Sequence, residues 1–298
     1  MKFQLPGLTP ATHTPFDEHG EVNLSAIETQ AAFMADKNID SVFIIGSTGE
    51  SHSLTMEERL AVANRWLQIT ANSKMKVVVH VGANCLKDAQ TLAKHAGTNG
   101  AAAVAALAPS HFKSASLDEL LAWSKSIAAM CPDTPFYFYD IPSLTGSSFP
   151  MNSYMEKAIP HIPNLVGLKF TNADLVAYQR VRNQFPGYDY LFGIDECLLP
   201  ALSLGCQGAV GSSYNFAAPL YHKLIHAFRH GDMATAQAQQ YKSVQLVDLL
   251  CSAGGYLPAA KAVMEYLGVP VGPARQPFPQ ISSEARRRLL DRVPGLLE

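Results

Sequence analysis

Lys169 stands in the apolar run Leu165-Val166-Gly167-Leu168-Lys169-Phe170-Thr171. In a strand the side chains alternate, so Leu168 and Phe170 share one face while Gly167, Lys169 and Thr171 share the other. A lysine aimed into a buried interior loses hydration, which lowers its pKa. The neutral amine that results can add to a ketone, forming a Schiff base whose protonated iminium acts as an electron sink for carbon–carbon cleavage. The structural alternative is a strand-end lysine paired with a carboxylate such as Glu50. Tyr139 closes the run Phe136-Tyr137-Phe138-Tyr139, with Tyr137 and Tyr139 on the face opposite the two phenylalanines. An inward phenol near Lys169 is a candidate proton relay; otherwise it is an aromatic core residue whose hydroxyl has found a partner.

Three other stretches carry chemistry. Gly46-Ser47-Thr48-Gly49-Glu50 places small residues and two hydroxyls in one turn, where backbone N–H groups can approach a carboxylate. No GK[ST] follows, so it is not a phosphate-binding P-loop, and the plain reading is a strand-to-helix turn whose glycines take positive φ. Asp195 and Glu196 after Gly193-Ile194 are acceptors for ligand hydroxyls or first-turn acids facing a helix dipole. Gly211-Ser212-Ser213 adds further hydroxyls. His13 and His80 lie in strand patterns without an HxH or HExxH arrangement, so no metal site is expected.

These residues need a frame that gathers them. Eight β-branched or aromatic runs recur: Leu8 to Thr14, Ser41 to Ile45, Lys76 to Val81, Ala101 to Ala108, Pro135 to Ile141, Leu165 to Phe170, Asp189 to Ile194 and Gly208 to Gly211. Helical patterns follow each, at 23–37, 56–71, 86–97, 117–130, 151–159, 173–184, 196–204 and 218–230. Eight such pairs are the arithmetic of an α/β (β/α)8 TIM barrel, whose strands read as nearly continuous apolar runs because both faces are covered. Its active sites lie at the C-terminal ends of the strands, where the candidate residues fall. Thr55 to Glu58 has the form of a capping box, and Ser116 with Glu119 marks the start of the fourth helix. Residues 1–230 are expected to form the barrel and 231–298 a C-terminal helical extension, with helices at 233–251, 256–267 and 282–291 broken by the Pro-rich connection Val269 to Pro279.

Composition narrows the function. The 298 residues are 48% hydrophobic and 16% charged, with 23 Lys+Arg against 25 Asp+Glu and a formal net charge of −2. That balance lacks the basic footprint of a nucleic-acid binder. A charged fraction below the typical ~25% hints at surface buried against other subunits. Five widely spaced cysteines without a CxxC pair argue against a disulfide framework and a structural zinc site. The N-terminal stretch lacks an uninterrupted apolar segment, and the small apolar run Ala101 to Ala108 is too short to span a bilayer, so a cytoplasmic protein with no membrane partner is expected.

With Gly46-Ser47-Thr48-Gly49-Glu50, Tyr139-Asp140-Ile141-Pro142 and Gly167-Leu168-Lys169-Phe170-Thr171 in order, the chain resembles the dihydrodipicolinate synthase and N-acetylneuraminate lyase superfamily of pyruvate-dependent class I aldolases. The resemblance implies a barrel with a helical C-terminal extension, usually a homotetramer. It implies no separate cofactor: Lys169 forms the Schiff base with pyruvate, Tyr139 relays protons, and Ser47 with Thr48 holds the pyruvate carboxylate. The stretches Tyr139 to Gly146, Gly193 to Glu196 and Gly211 to Asn215 are most similar to the N-acetylneuraminate lyase branch. That branch implies sialic acid, N-acetylmannosamine and pyruvate as small-molecule partners. Gly193, Asp195, Glu196 and Ser212 would then meet the sugar's hydroxylated tail, Gly211 would also border the substrate, and Thr171 would lie beside the reacting carbons. The synthases usually carry an arginine where Leu144 stands, and a leucine cannot supply that fork of donors to a second carboxylate. Two departures stand out: Pro109-Ser110-His111-Phe112 replaces a common aromatic pair that often includes a tyrosine reaching the neighbouring subunit's site, and Asp140 replaces an asparagine or histidine. Two alternatives remain open, namely another pyruvate-dependent aldolase, acting on a 2-keto-3-deoxy sugar acid or dihydrodipicolinate synthase-like, and a non-catalytic sugar-acid binding protein.

Overall fold

The computed structural model describes residues 3–297. Each of the eight apolar runs yields a parallel strand: β1 (Gly7–Pro10), β2 (Ser41–Ile44), β3 (Lys76–His80), β4 (Ala103–Leu107), β5 (Phe136–Asp140), β6 (Leu165–Phe170), β7 (Asp189–Phe192) and β8 (Gly208–Gly211). The strands neighbour one another in the order β1-β8-β7-β6-β5-β4-β3-β2. The last seam, between β1 and β2, is closed by a parallel bridge from Ala11 to Phe43 and by Thr12 N–H donating to the Phe43 carbonyl at 3.0 Å. The result is a (β/α)8 barrel.

Among the described residues, twelve α-helices surround and extend it: α1 (Ala26–Asp36), α2 (Met56–Thr70), α3 (Leu86–Thr98), α4 (Leu117–Ala128), α5 (Pro142–Thr145), α6 (Met151–Ala158), α7 (Leu175–Gln184), α8 (Leu198–Ser203), α9 (Tyr214–Arg229), α10 (Met233–Ser252), α11 (Tyr256–Tyr266) and α12 (Ser283–Arg292). The Thr55 capping box forms in full. At α4 the Ser116 hydroxyl accepts from Glu119 N–H, but the Glu119 carboxylate accepts from Ala115 N–H instead of from the cap residue. Helix α9 begins four residues before the expected 218 because it continues through a kink at Ala217, with Pro219 inside it. Proline there resembles an N-terminal signal, since it lacks the N–H that a first turn leaves unpaired. The single turn α5 has no counterpart in the helical patterns of the sequence.

Two cores result. One fills the space between strands and helices and includes Trp66, Phe136, Phe138, Leu168 and Phe170; the other fills the barrel and includes Phe43, Val78, Tyr137, Tyr139 and Leu191. The expected faces of β5 are therefore realised. Strand β6 departs from strict alternation, because Phe136 pairs with Leu165 but Tyr137 pairs with Gly167. The slip turns Val166 inward together with Lys169, although the two are three residues apart. Gly167 answers a close approach here: a Cβ on it would lie 1.7 Å from the Asp189 carbonyl oxygen. The barrel floor is sealed by Asp189, whose Oδ2 accepts from the Tyr137 hydroxyl at 2.6 Å and from Leu5 N–H at 3.0 Å.

The C-terminal helices pack back onto this frame. Gln240 of α10 accepts from Leu199 N–H at 2.7 Å, and Arg275 stacks over the Phe16 ring while pairing with Glu58 of α2. Among the described residues, no helix is long and apolar enough to cross a membrane.

Candidate active site

At the C-terminal mouth of the barrel lies a cavity of about 630 Å³. All ten candidate residues, Ser47, Thr48, Tyr139, Lys169, Thr171, Gly193, Asp195, Glu196, Gly211 and Ser212, line it. They come from the ends of five strands, β2, β5, β6, β7 and β8, a convergence that barrel closure provides.

Strand register brings the central pair together. Tyr139 of β5 and Lys169 of β6 are direct Cα partners. Lys169 Nζ lies 3.7 Å from the centre of the Tyr139 ring and 4.2 Å from that of Phe43. The lysine is only 4% exposed. Burial pushes its pKa down, partly offset by Tyr139 and by the negative charge of Asp195. An amine so placed is poised to react as the free base. The structural alternative for Lys169 is not realised, because Glu50 pairs with Lys261 of α11 at 2.7 Å.

The Gly46–Glu50 turn differs from its expected backbone. Its glycines do not take positive φ; the left-handed residues are Ile45 (φ 57°) and Glu50 (φ 56°), which bracket it. The glycines serve close approach instead. A Cβ on Gly46 would lie 2.7 Å from Phe43 Cε1, and one on Gly49 would lie 3.0 Å from Ile45 backbone atoms and 3.1 Å from the Thr12 carbonyl oxygen. Between them Ser47 Oγ lies 3.4 Å from the Tyr139 hydroxyl, and Thr48 Oγ1 shares a 2.5 Å hydrogen bond with Ser212 Oγ. One row of hydroxyls thus runs from the phenol along the turn to the loop after β8.

Across the cavity Asp195 Oδ2 accepts from Ser213 N–H at 2.8 Å. Burial raises its pKa to about 6. Gly211 and Gly193 leave room for their neighbours: a Cβ on Gly211 would lie 1.8 Å from Asp195 Oδ1, and one on Gly193 would lie 2.0 Å from Thr171 Oγ1. That threonine hydroxyl is buried without a hydrogen-bond partner and borders the cavity, as a group kept for a ligand would be. Asp140, which follows Tyr139 and falls on the outer face by alternation, is buried with its pKa raised to about 7.

Some of the lining was invisible in the sequence. Val247 and Cys251 of α10 and Tyr256 at the start of α11 complete the wall. They sit on helices of the extension, so the rule of reading residues just after each strand passes over them. His111 and Phe112, by contrast, do not border the cavity; their rings pack edge to face at 4.7 Å on the loop after β4, and Phe112 is 86% exposed.

A desolvated lysine beside a phenol at the mouth of a (β/α)8 barrel defines a class I, imine-forming aldolase. The chain belongs to the dihydrodipicolinate synthetase family, whose model matches residues 4–294. It is 37% identical over 287 residues to N-acetylneuraminate lyase from Rattus norvegicus, a match covering 95% of this chain and 90% of the rat protein. Among solved structures it superposes on Proteus mirabilis N-acetylneuraminate lyase with a TM-score of 0.94 at 33% identity, covering 98% of both chains. The N-acetylneuraminate lyase (sialic acid aldolase) from Aliivibrio salmonicida gives a TM-score of 0.94 at 34% identity, covering 98% of this chain and 97% of that one.

Proposed function

We propose that this protein cleaves N-acetylneuraminate reversibly to N-acetylmannosamine and pyruvate. The observation that carries this reading is the Lys169 amine, held beside Tyr139 with its pKa lowered by burial. Lys169 Nζ adds to the C2 ketone of the open-chain sugar acid, and the Tyr139 phenol gives its proton to the departing hydroxyl, so that water leaves and a protonated imine and a phenolate remain. Tyr139 accepts the proton of the C4 hydroxyl as the C3–C4 bond breaks. The bonding pair flows into the iminium, giving an enamine on Lys169 and the aldehyde N-acetylmannosamine. Protonation at C3 and hydrolysis then release pyruvate and restore the amine.

Ser47 and Thr48 hold the substrate carboxylate, and Thr171 supplies its unpartnered hydroxyl beside the reacting carbons. Asp195 and Glu196, with the space at Gly193 and Gly211 and the hydroxyl of Ser212, take the polyhydroxylated tail. Two acids at that end favour hydroxyl donors and would repel a phosphate. The low charged fraction and exposed side chains such as Phe112 support a homotetramer, which sedimentation analysis tests; a monomer at assay concentration would contradict it. Five unpaired cysteines are compatible with a reducing, cytoplasmic setting.

Borohydride reduction in the presence of pyruvate, followed by peptide mapping, is expected to place a three-carbon adduct on the Lys169 peptide. N-acetylneuraminate is expected to release pyruvate, and Lys169→Ala to lower that rate by roughly 10⁴-fold or more. Tyr139→Phe is expected to retain the adduct while losing about 10²–10⁴-fold in turnover. An adduct on another lysine would sink the mechanism.

A further inference from the structure

The Gly46–Glu50 turn is entered and left through Ile45 and Glu50, both in the left-handed region that residues with a Cβ avoid. Strain of this kind persists only where the surroundings over-determine it. Here each end is gripped by a buried side chain from a distant element. At the entry, His80 Nδ1 donates to the Ile45 carbonyl at 2.8 Å. Burial, aided by the nearby Arg59 charge, keeps that imidazole neutral, while Arg59 donates to the His80 and Gly82 carbonyls at 3.1 and 2.9 Å.

At the exit, the Glu50 carboxylate meets Lys261 Nζ at 2.7 Å and accepts from Arg275 N–H at 2.8 Å. Lys261 and Glu50 side chains are 1% and 0% exposed. Lys261 also donates to the Thr14 and Pro273 carbonyls, each at 2.9 Å, and the Thr14 hydroxyl donates to the Gly49 carbonyl at 2.7 Å. One ammonium of the C-terminal extension thus reaches both of the last two residues of the turn. Neither Lys261 nor His80 lines the cavity.

We propose that Lys261 and His80 are positioning residues for the substrate carboxylate: they fix the two strained ends of the turn so that Ser47 and Thr48 face the cavity. Lys261 thereby makes the C-terminal extension a working part of the pyruvate site. The proposal rests on the assignment of the turn to the carboxylate given above. It also accounts for a charged pair buried where an apolar pair would cost less desolvation.

The test titrates pyruvate in the borohydride trapping reaction with the full-length enzyme. The double variant Glu50→Gln/Lys261→Met leaves no uncompensated buried charge, and Lys261→Arg and His80→Phe accompany it. In the double variant and in His80→Phe, half-saturating pyruvate is expected to rise by at least about 10-fold, because small misplacements of binding groups are costly. The adduct at saturating pyruvate and the KM for N-acetylmannosamine are expected to stay within about three-fold, and Lys261→Arg to recover most of the pyruvate affinity. A merely structural pair would lower the melting temperature and leave half-saturating pyruvate unchanged in the folded fraction, and that result would overturn the proposal. No adduct in the unsubstituted enzyme would instead overturn the imine assignment on which it rests.

Discussion

At the scale of single residues, burial sets the proposed role of Asp195 against stability. Its carboxyl is raised from 3.8 to about 6 by desolvation, against the opposing effect of the Ser213 N–H. A carboxyl raised on folding contributes its stability below the unfolded pKa and loses it as pH rises through about 6. The ionised form that would accept sugar hydroxyls in the proposed function is therefore the form the fold tolerates less. The KM for N-acetylneuraminate is expected to climb as pH falls through about 6, while thermal stability shows no matching loss from this group. Asp195→Asn should flatten that limb of the KM profile; a limb that persists unchanged would assign it to another group. Lys169 responds in the opposite sense, since its lowered pKa extends the neutral amine to lower pH than an exposed lysine would allow.

At the scale of elements, the site depends on places where a side chain is missing. Gly167 must let β7 approach, because its Cβ would lie 1.7 Å from backbone oxygen. Gly167→Ala is expected to destabilise the protein by at least about 1–3 kcal/mol, the range for overpacking, measured by denaturant unfolding. Gly211→Ala should act differently: the obstructing atoms are side-chain ones, Asp195 Oδ1 at 1.8 Å and Tyr214 Cε2 at 2.8 Å, so the variant should fold and show a raised KM for the sugar with pyruvate trapping retained. These cases show what the sequence disclosed. Alternation along β5 and β6 disclosed that Tyr139 and Lys169 point inward, because side-chain direction in a strand follows from period two. It could not disclose the slip at Val166, which depends on what the neighbouring strand offers. The positive φ values at Ile45 and Glu50 were hidden for the same reason: the sequence pointed to the glycines, while the distant partners His80 and Lys261 stabilise the strain elsewhere.

At the scale of the whole molecule, the cavity joins two parts of the chain. The barrel supplies the amine, the phenol and the hydroxyl row, whereas α10 and α11 close the far wall with Val247, Cys251 and Tyr256. Tyr256 is tied to the barrel by its hydroxyl, which shares a 2.8 Å hydrogen bond with Ser213 Oγ. Cys251→Phe is expected to raise the KM for N-acetylneuraminate by about 10-fold or more through lost room, with little change in pyruvate trapping, because overfilling acts only on what must occupy that space. Equal losses in both assays would show that the wall reaches the imine end. In the proposed function, bond-making thus belongs to the barrel strands, while part of the wall around the sugar belongs to α10 and α11. Changes in α10 can admit a shorter or bulkier aldehyde without rebuilding the machinery that activates pyruvate, which gives the scaffold a route to new acceptors by drift in one helix.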